Sequence, residues 1–190
     1  MNAPFTKYVG IAAPLIRDNI DTDQIIPSRE MKSVSKTGLS GGMFAGQRYI
    51  SDRQINPDFV LNTPEYKDAT ILLSGKNFGC GSSREHAVWA LKEYGFRAII
   101  AESFGEIFYN NCVRNGILPI QMSGGIIAKL GRNVRIDLEN QTVNDNVFDI
   151  PKGDKNMLLR GLDPIAMTLK DKAVIDAHFA KDVKDRPWIY

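Results

Sequence analysis

The chain has 190 residues, 43% of them apolar and 24% charged, proportions that suit one compact domain with a full core and leave little room for a second. Its 24 basic and 22 acidic residues give a formal net charge of +2 and are scattered, so neither a nucleic-acid face nor an acidic disordered tail is expected. Two cysteines without Cys-x-x-Cys spacing, Cys80 and Cys112, and two histidines, His86 and His178, are too few for a zinc or iron–sulfur site, so no metal is expected on this chain.

The first residues, MNAPFTKYVG, lack a basic region followed by an apolar one, and no later apolar run approaches the roughly 18 residues that span a bilayer. A cytoplasmic protein with reduced thiols and no membrane contact is the expectation. YVGIAAPLI, residues 8–16, reads as extended and apolar; RDNIDTDQIIPS reads as a loop carrying carboxylates and ending near Pro27. MKSVSKTGLSGGMFAGQRYI, with Gly38, Gly41, Gly42 and Gly46, has the composition of a mobile surface loop. After connections around Pro57 and Pro64, ATILLSG, residues 69–75, is a buried strand.

A glycine turn leads into a helix whose apolar positions are Ala87, Val88, Ala90, Leu91 and Tyr94 and which Gly95 stops. RAIIAES, residues 97–103, is a second buried strand, and the economical arrangement of the three is a right-handed parallel βαβ unit. A helix over 104–114 then feeds ILPIQ as a third strand. NVRIDLE and QTVNDNVFDI alternate around Glu139-Asn140 as a hairpin region, and the tail is helical, broken near Gly161 and Asp163 before Pro164.

NFGCGSSREHA, residues 77–87, concentrates chemistry at one strand-to-helix turn. One reading is a capping box, with Ser82 accepting from the Glu85 amide and Glu85 reaching back. The other notes that a helix amino terminus attracts anions, whereas the Arg84 cation there is unfavourable unless an anion such as a carboxylate comes between. Amides, dipole and guanidinium together would also lower the pKa of the Ser82 hydroxyl. GKNFGCGSS misplaces the lysine of a phosphate loop, and G-x-S-x-G is absent. Ser82 and His86, four apart on one helical face, could pair as in a hydrolase, but no third group to orient the base is evident.

NFGCGSSREHA together with NIDTDQIIP resembles the small subunits of the 3-isopropylmalate dehydratase family, in the aconitase superfamily. PDFVLNTPEY, GFRAIIAESFGEIFYNN, GILPI and GLDPIAMTL follow in family order, so the likeness covers most of the chain. It implies an α/β fold: a swivelling β/β/α domain like the aconitase C-terminal domain, with a parallel βαβ core and a β-hairpin region. That domain would span 1–190, with a mobile substrate loop about 28–46 and a helical C-terminal segment about 155–185. It also implies a 4Fe-4S cluster carried by a separate large subunit, a small dicarboxylic hydroxy acid as substrate, and interconversion of 2- and 3-isopropylmalate by dehydration and rehydration in leucine biosynthesis. Ser82 matches the family's proton-transferring serine, Ser83 and Arg84 match carboxylate-holding residues, and Asp23 matches an active-site aspartate. An Asx turn before Gln24 is the competing reading of Asp23.

In the family the loop after Pro27 chooses the substrate's side group. Met31, Val34 and Leu39 could form an apolar wall for an isopropyl arm, while Arg29, Lys32 and Lys36 could read a third carboxylate. Homoaconitate, citramalate and dimethylmalate hydro-lyases are therefore rivals in the same class, and a carboxylate-binding domain without chemistry is a rival of a different class.

Overall fold

In the computed structural model, which describes residues 2–31 and 35–189, the chain runs β1 (Lys7–Leu15), α1 (Thr22–Ile25), α2 (Ala45–Arg48), β2 (Ile71–Ser74), α3 (His86–Tyr94), β3 (Ala98–Ala101), α4 (Glu106–Asn115), β4 (Leu118–Gln121) and α5 (Gly124–Ile127). Three antiparallel strands follow, β5 (Asn133–Asp137), β6 (Thr142–Val143) and β7 (Asn146–Val147), then α6 (Lys152–Arg160), α7 (Pro164–Leu169) and α8 (Lys172–Asp185). The strands form one mixed sheet in the order β4-β3-β2-β1-β5-β6-β7. β1 joins its two halves, pairing in parallel with β2 from Ala12↔Ile71 to Leu15↔Ser74 and antiparallel with β5 from Lys7↔Asp137 to Ile11↔Asn133.

The short runs ILLS and AIIA are buried at every position, as expected of parallel strands covered on both faces. Their alternate side chains divide between two cores. Ala13, Leu72 and Ile99 pack with Ala87, Leu91, Phe108 and Cys112, while Ala12, Ile71, Leu73 and Ile100 pack with Leu118, Ile120, Phe148 and Leu158. Each such Leu or Ile contributes about 1.5–3 kcal/mol when fully buried, so the strands need little length. The predicted βαβ unit, third parallel strand and hairpin region are all present. Gly95, at φ 121°, ends α3 by donating its N–H to the carbonyls of Leu91 and Lys92.

Two stretches differ from their sequence reading. The acidic segment after β1 is not all loop: Asp21 accepts from the Gln24 amide at 2.7 Å and starts the single turn of α1. The glycine-rich segment was expected at the surface, yet Leu39, Met43, Phe44 and Ala45 are buried and the first three join the core beneath α3. Composition misled because the glycines alternate with core side chains. The Glu93 carboxylate, on α3, accepts the amides of Gly38, Leu39 and Ser40 at 2.7, 2.6 and 2.8 Å, which pins the segment to that helix. At the far end, Asp163 caps α7, Pro164 is its first residue, and neither α7 nor α8 buries a side chain. No described helix is long and apolar enough to cross a membrane.

The amides of Gly38, Ser40 and Leu39 hold the Glu93 carboxyl below its ordinary pKa, against the opposing effect of its burial. Because the folded value is the lower one, this contact stabilises the fold above the unfolded pKa and is lost as pH falls through the folded value. Glu93→Gln is expected to lower Tm at neutral pH by a few degrees, at about 2–4 °C per kcal/mol for this length, and to flatten the fall of Tm below about pH 5. Calorimetry across pH checks both.

Candidate active site

The carboxyl ends of adjacent parallel strands are where an open α/β sheet presents its ligands, and here the loops after β1, β2 and β3 are joined beyond the strands. Ser74, the last residue of β2, is buried and donates its hydroxyl to the carbonyls of Leu15 and Arg17 at 3.2 and 3.3 Å. Asn19 N donates to Lys76 O, Gly79 N to Ile20 O and Thr22 N to Cys80 O, at 2.7–3.0 Å. Asp21 and Cys80 form a parallel bridge. On the other flank Phe78 N donates to Ser103 O and Gly105 N to Phe78 O. The β2 loop is thus held between its neighbours like a further, irregular length of strand.

Two glycines let the backbone turn there. Gly79 has φ 74°, and a Cβ on it would lie 2.1 Å from the Phe108 ring; Gly81 has φ 93°. A side chain at position 79 would meet both a left-handed conformation and a buried ring, which costs about 3 kcal/mol or more in combination. Beyond Gly81 the chain is fixed by Thr22. This residue is 1% exposed, its hydroxyl accepts from the Ser82 amide at 3.2 Å, and the same oxygen lies 3.3 Å from the Ser82 carbonyl as donor.

The capping box does not form. The helix begins only at His86, with Glu85 at the cap position and no side-chain cap. The Ser82 amide is taken by Thr22, and the Glu85 carboxylate turns to Asn115 instead, at 2.6 Å. Ser82, Ser83 and Arg84 therefore precede the helix rather than open it, and Ser82 does not share a helical face with His86, whose ring packs on Trp89 at 4.7 Å. Both serines are exposed and Arg84 is half-buried. Among the described residues, the amides of Ser83, Arg84 and Glu85 have no backbone acceptor, which leaves donors beside the guanidinium.

The structure brings Asp23 to Arg84. Arg84 Nη1 donates to Asp23 Oδ1 in an ion pair, and Ser28 Oγ donates to the same oxygen at 3.2 Å. The Asx turn of this segment belongs to Asp21, so the Asp23 carboxylate is left to face the arginine. The Arg84 guanidinium holds the Asp23 carboxyl below the usual carboxylate range, with a smaller contribution in the same direction from Ser28. Two motifs 61 residues apart thus meet at one charged point open to solvent.

Other candidates are distributed differently. Arg29 is exposed and lies 3.5 Å from Glu30, and Met31 packs partly buried against the core. Leu39 is turned fully into that core and cannot serve as a wall for substrate. The Lys36 ammonium stands 5.1 Å over the Trp89 ring. Val34 and Lys32 lie outside the described residues. Thr22, which carries no motif signal beyond standing between two aspartates, is the residue that sequence reading passed over. A cavity of about 600 Å³ lined by Glu102, Ser123, Phe148 and Asp149, among others, includes no residue of the turn. Among the described residues no three His, Cys, Asp or Glu gather as metal ligands, and Cys112 is buried with its thiol pKa pushed well up by desolvation.

Residues 2–125 match the model of the aconitase C-terminal domain. The chain is 54% identical to the 3-isopropylmalate dehydratase small subunit of Cupriavidus necator, over 98% of each chain. It is 48% identical to that of Rhodopseudomonas palustris, over 97% of this chain and 98% of the relative. The crystal structure of 3-isopropylmalate dehydratase from Methanocaldococcus jannaschii superposes with a TM-score of 0.68 at 32% identity, over 90% of this chain and 99% of the other. With this fold, and with the GSSREHA turn and the Asp23 segment joined as described, the chain belongs to the 3-isopropylmalate dehydratase small subunits, a branch of the aconitase C-terminal domain family.

Proposed function

We propose that this chain works in the cytoplasm as the small subunit of a hydro-lyase of leucine biosynthesis, paired with a large subunit and interconverting 2-isopropylmalate and 3-isopropylmalate. The observation that carries the proposal is the solvent-open turn in which Ser82, Ser83 and Arg84 stand together with Arg84 already paired to Asp23. A guanidinium grips a carboxylate through two parallel hydrogen bonds, which a lysine cannot reproduce. Arg84 and Ser83 hold the substrate carboxylate adjacent to the carbon that loses its proton, and Asp23 with Ser28 fixes the guanidinium beforehand.

Ser82 Oγ, as the alkoxide, takes that proton. The carbon–hydrogen pair becomes the carbon–carbon double bond as the hydroxyl on the neighbouring carbon departs, and hydration in the opposite sense gives the isomer. Charge that develops on the carboxylate is met by the Arg84 guanidinium and the amides of the turn, donors already in place before reaction. The departing hydroxyl needs a Lewis acid, which we assign to a 4Fe-4S cluster carried by the large subunit. The residues of this chain do not fit that role: its two cysteines include one fully buried thiol, and no ligand group assembles among the described residues. The small chain supplies the proton carrier and the carboxylate grip.

Mixing with the large subunit is expected to give activity that the isolated chain lacks. In the mixed enzyme Ser82→Ala should lower kcat by about 10²–10⁴-fold, the range for loss of a positioned proton carrier, with little change in KM. Arg84→Lys should lower kcat/KM by about a hundredfold with a raised KM. Steady-state kinetics at saturating and limiting substrate separate the two. Full kcat in Ser82→Ala would contradict the proposed role of Ser82.

A further inference from the structure

Only four polar side chains are buried among the described residues: Thr22, Ser74, Asn111 and Asn115. Thr22 and Ser74 fasten the loops of the site. Asn115, the last residue of α4, has no part in the reaction described above, yet it is 8% exposed and makes three hydrogen bonds. Its Nδ2 donates to Glu85 Oε1 at 2.6 Å and to Asn111 O at 2.8 Å, and its Oδ1 accepts from Trp89 Nε1 at 3.1 Å. A buried amide is tolerated only when its donors and acceptors are satisfied, and here two of the three partners, Glu85 and Trp89, stand at the two ends of the first turn of α3, the third being a carbonyl of α4 itself.

From this geometry we infer that Asn115 is a positioning residue for the Ser82–Arg84 turn, acting through Glu85. Glu85 directly follows Arg84 and its carboxylate is not used to cap the helix. Where Glu85 is placed therefore decides where the Arg84 backbone stands. Thr22 holds the turn from one side, at Ser82; Asn115 holds it from the other. The Trp89 bond adds a second attachment four residues along, so the first turn of α3 cannot rotate on its axis without breaking one of the two. At its opposite end α4 supports the same loop, because Gly105 N donates to Phe78 O and the Phe108 ring lies against Gly79. One helix thus braces the turn at both its entry and its exit. Misplacement of a reacting group by about 1 Å can cost on the order of a hundredfold in rate, which is the effect this brace prevents.

The inference rests on the proposed roles of Ser82 and Arg84, and the experiment is done in the mixed enzyme with Ser82→Ala and Arg84→Lys alongside. Asn115→Leu keeps the branched shape of the side chain and removes all three bonds. It is expected to lower kcat/KM by about tenfold or more, with kcat falling further than KM rises, in protein that remains folded by calorimetry. Glu85→Leu should cause a similar loss, Glu85→Gln, which keeps an acceptor oxygen for Asn115, a much smaller one, and the double variant Glu85→Leu/Asn115→Leu no more than the larger single loss, because both break one connection. A lowered Tm with unchanged kcat/KM per folded complex, or losses that multiply in the double variant, would overturn the inference. Should Asn115→Leu fail to fold, the contrast between Glu85→Leu and Glu85→Gln decides it, equal losses counting against. Crippled Ser82 and Arg84 variants beside an unaffected Asn115→Leu would sink this inference alone, whereas unaffected Ser82 and Arg84 variants would sink the reading beneath it.

Discussion

The hydroxyl of Thr22 meets both the amide and the carbonyl of Ser82, and the arrangement of the site follows from that contact. It closes a seam that begins inside the sheet, where β1 and β2 pair in parallel up to Leu15↔Ser74. The seam continues through the Ser74 hydroxyl and a series of backbone bonds to Cys80. Each bond of this kind contributes only about 0.5–1.5 kcal/mol. Their effect is geometric: they carry the order of the sheet outward into two irregular loops, so that Asp23 on one comes to face Arg84 on the other. Among the described residues the buried polar side chains are Thr22 and Ser74, along this path, and Asn111 and Asn115, one turn apart on α4.

The electrostatics of the turn suit a waiting site. An arginine beside unpaired amides would repel its surroundings unless something anionic stood near, and Asp23 supplies that charge while remaining more than half exposed. Exposure keeps the pair weak, since a solvent-screened ion pair is worth about 0–1 kcal/mol, so on the proposed function a substrate carboxylate can join Asp23 at the guanidinium at small cost. The solvent-open serines suit, on the proposed function, a site that the large subunit completes.

Much of this was legible in the sequence because the signals were local. ILLS and AIIA announce strands covered on both faces, Gly95 and Gly161 mark helix ends, and GSSREHA with the Asp21-Thr22-Asp23 segment marks the family and the two stretches that meet at the candidate site. The misreadings arose where a partner lay far away in the chain. Glu85 suits a capping box locally, but Asn115, 30 residues on, offers it a buried amide. The glycine-rich segment looks unanchored until Glu93, more than 50 residues on, takes three of its amides and the core takes Leu39, Met43 and Phe44. Asp21 and Asp23 are equivalent by composition; only the fold gives the first to a backbone amide and the second to Arg84.

The seam is tested most directly at Thr22. Thr22→Val preserves the β-branched shape and removes the hydroxyl that holds Ser82. Measured as kcat/KM in the mixed enzyme, together with Tm, it is expected to lose about tenfold or more in kcat/KM while Tm falls by no more than a few degrees. Undiminished kcat/KM in this variant would contradict the claim that the joined loops set the position of the reacting groups.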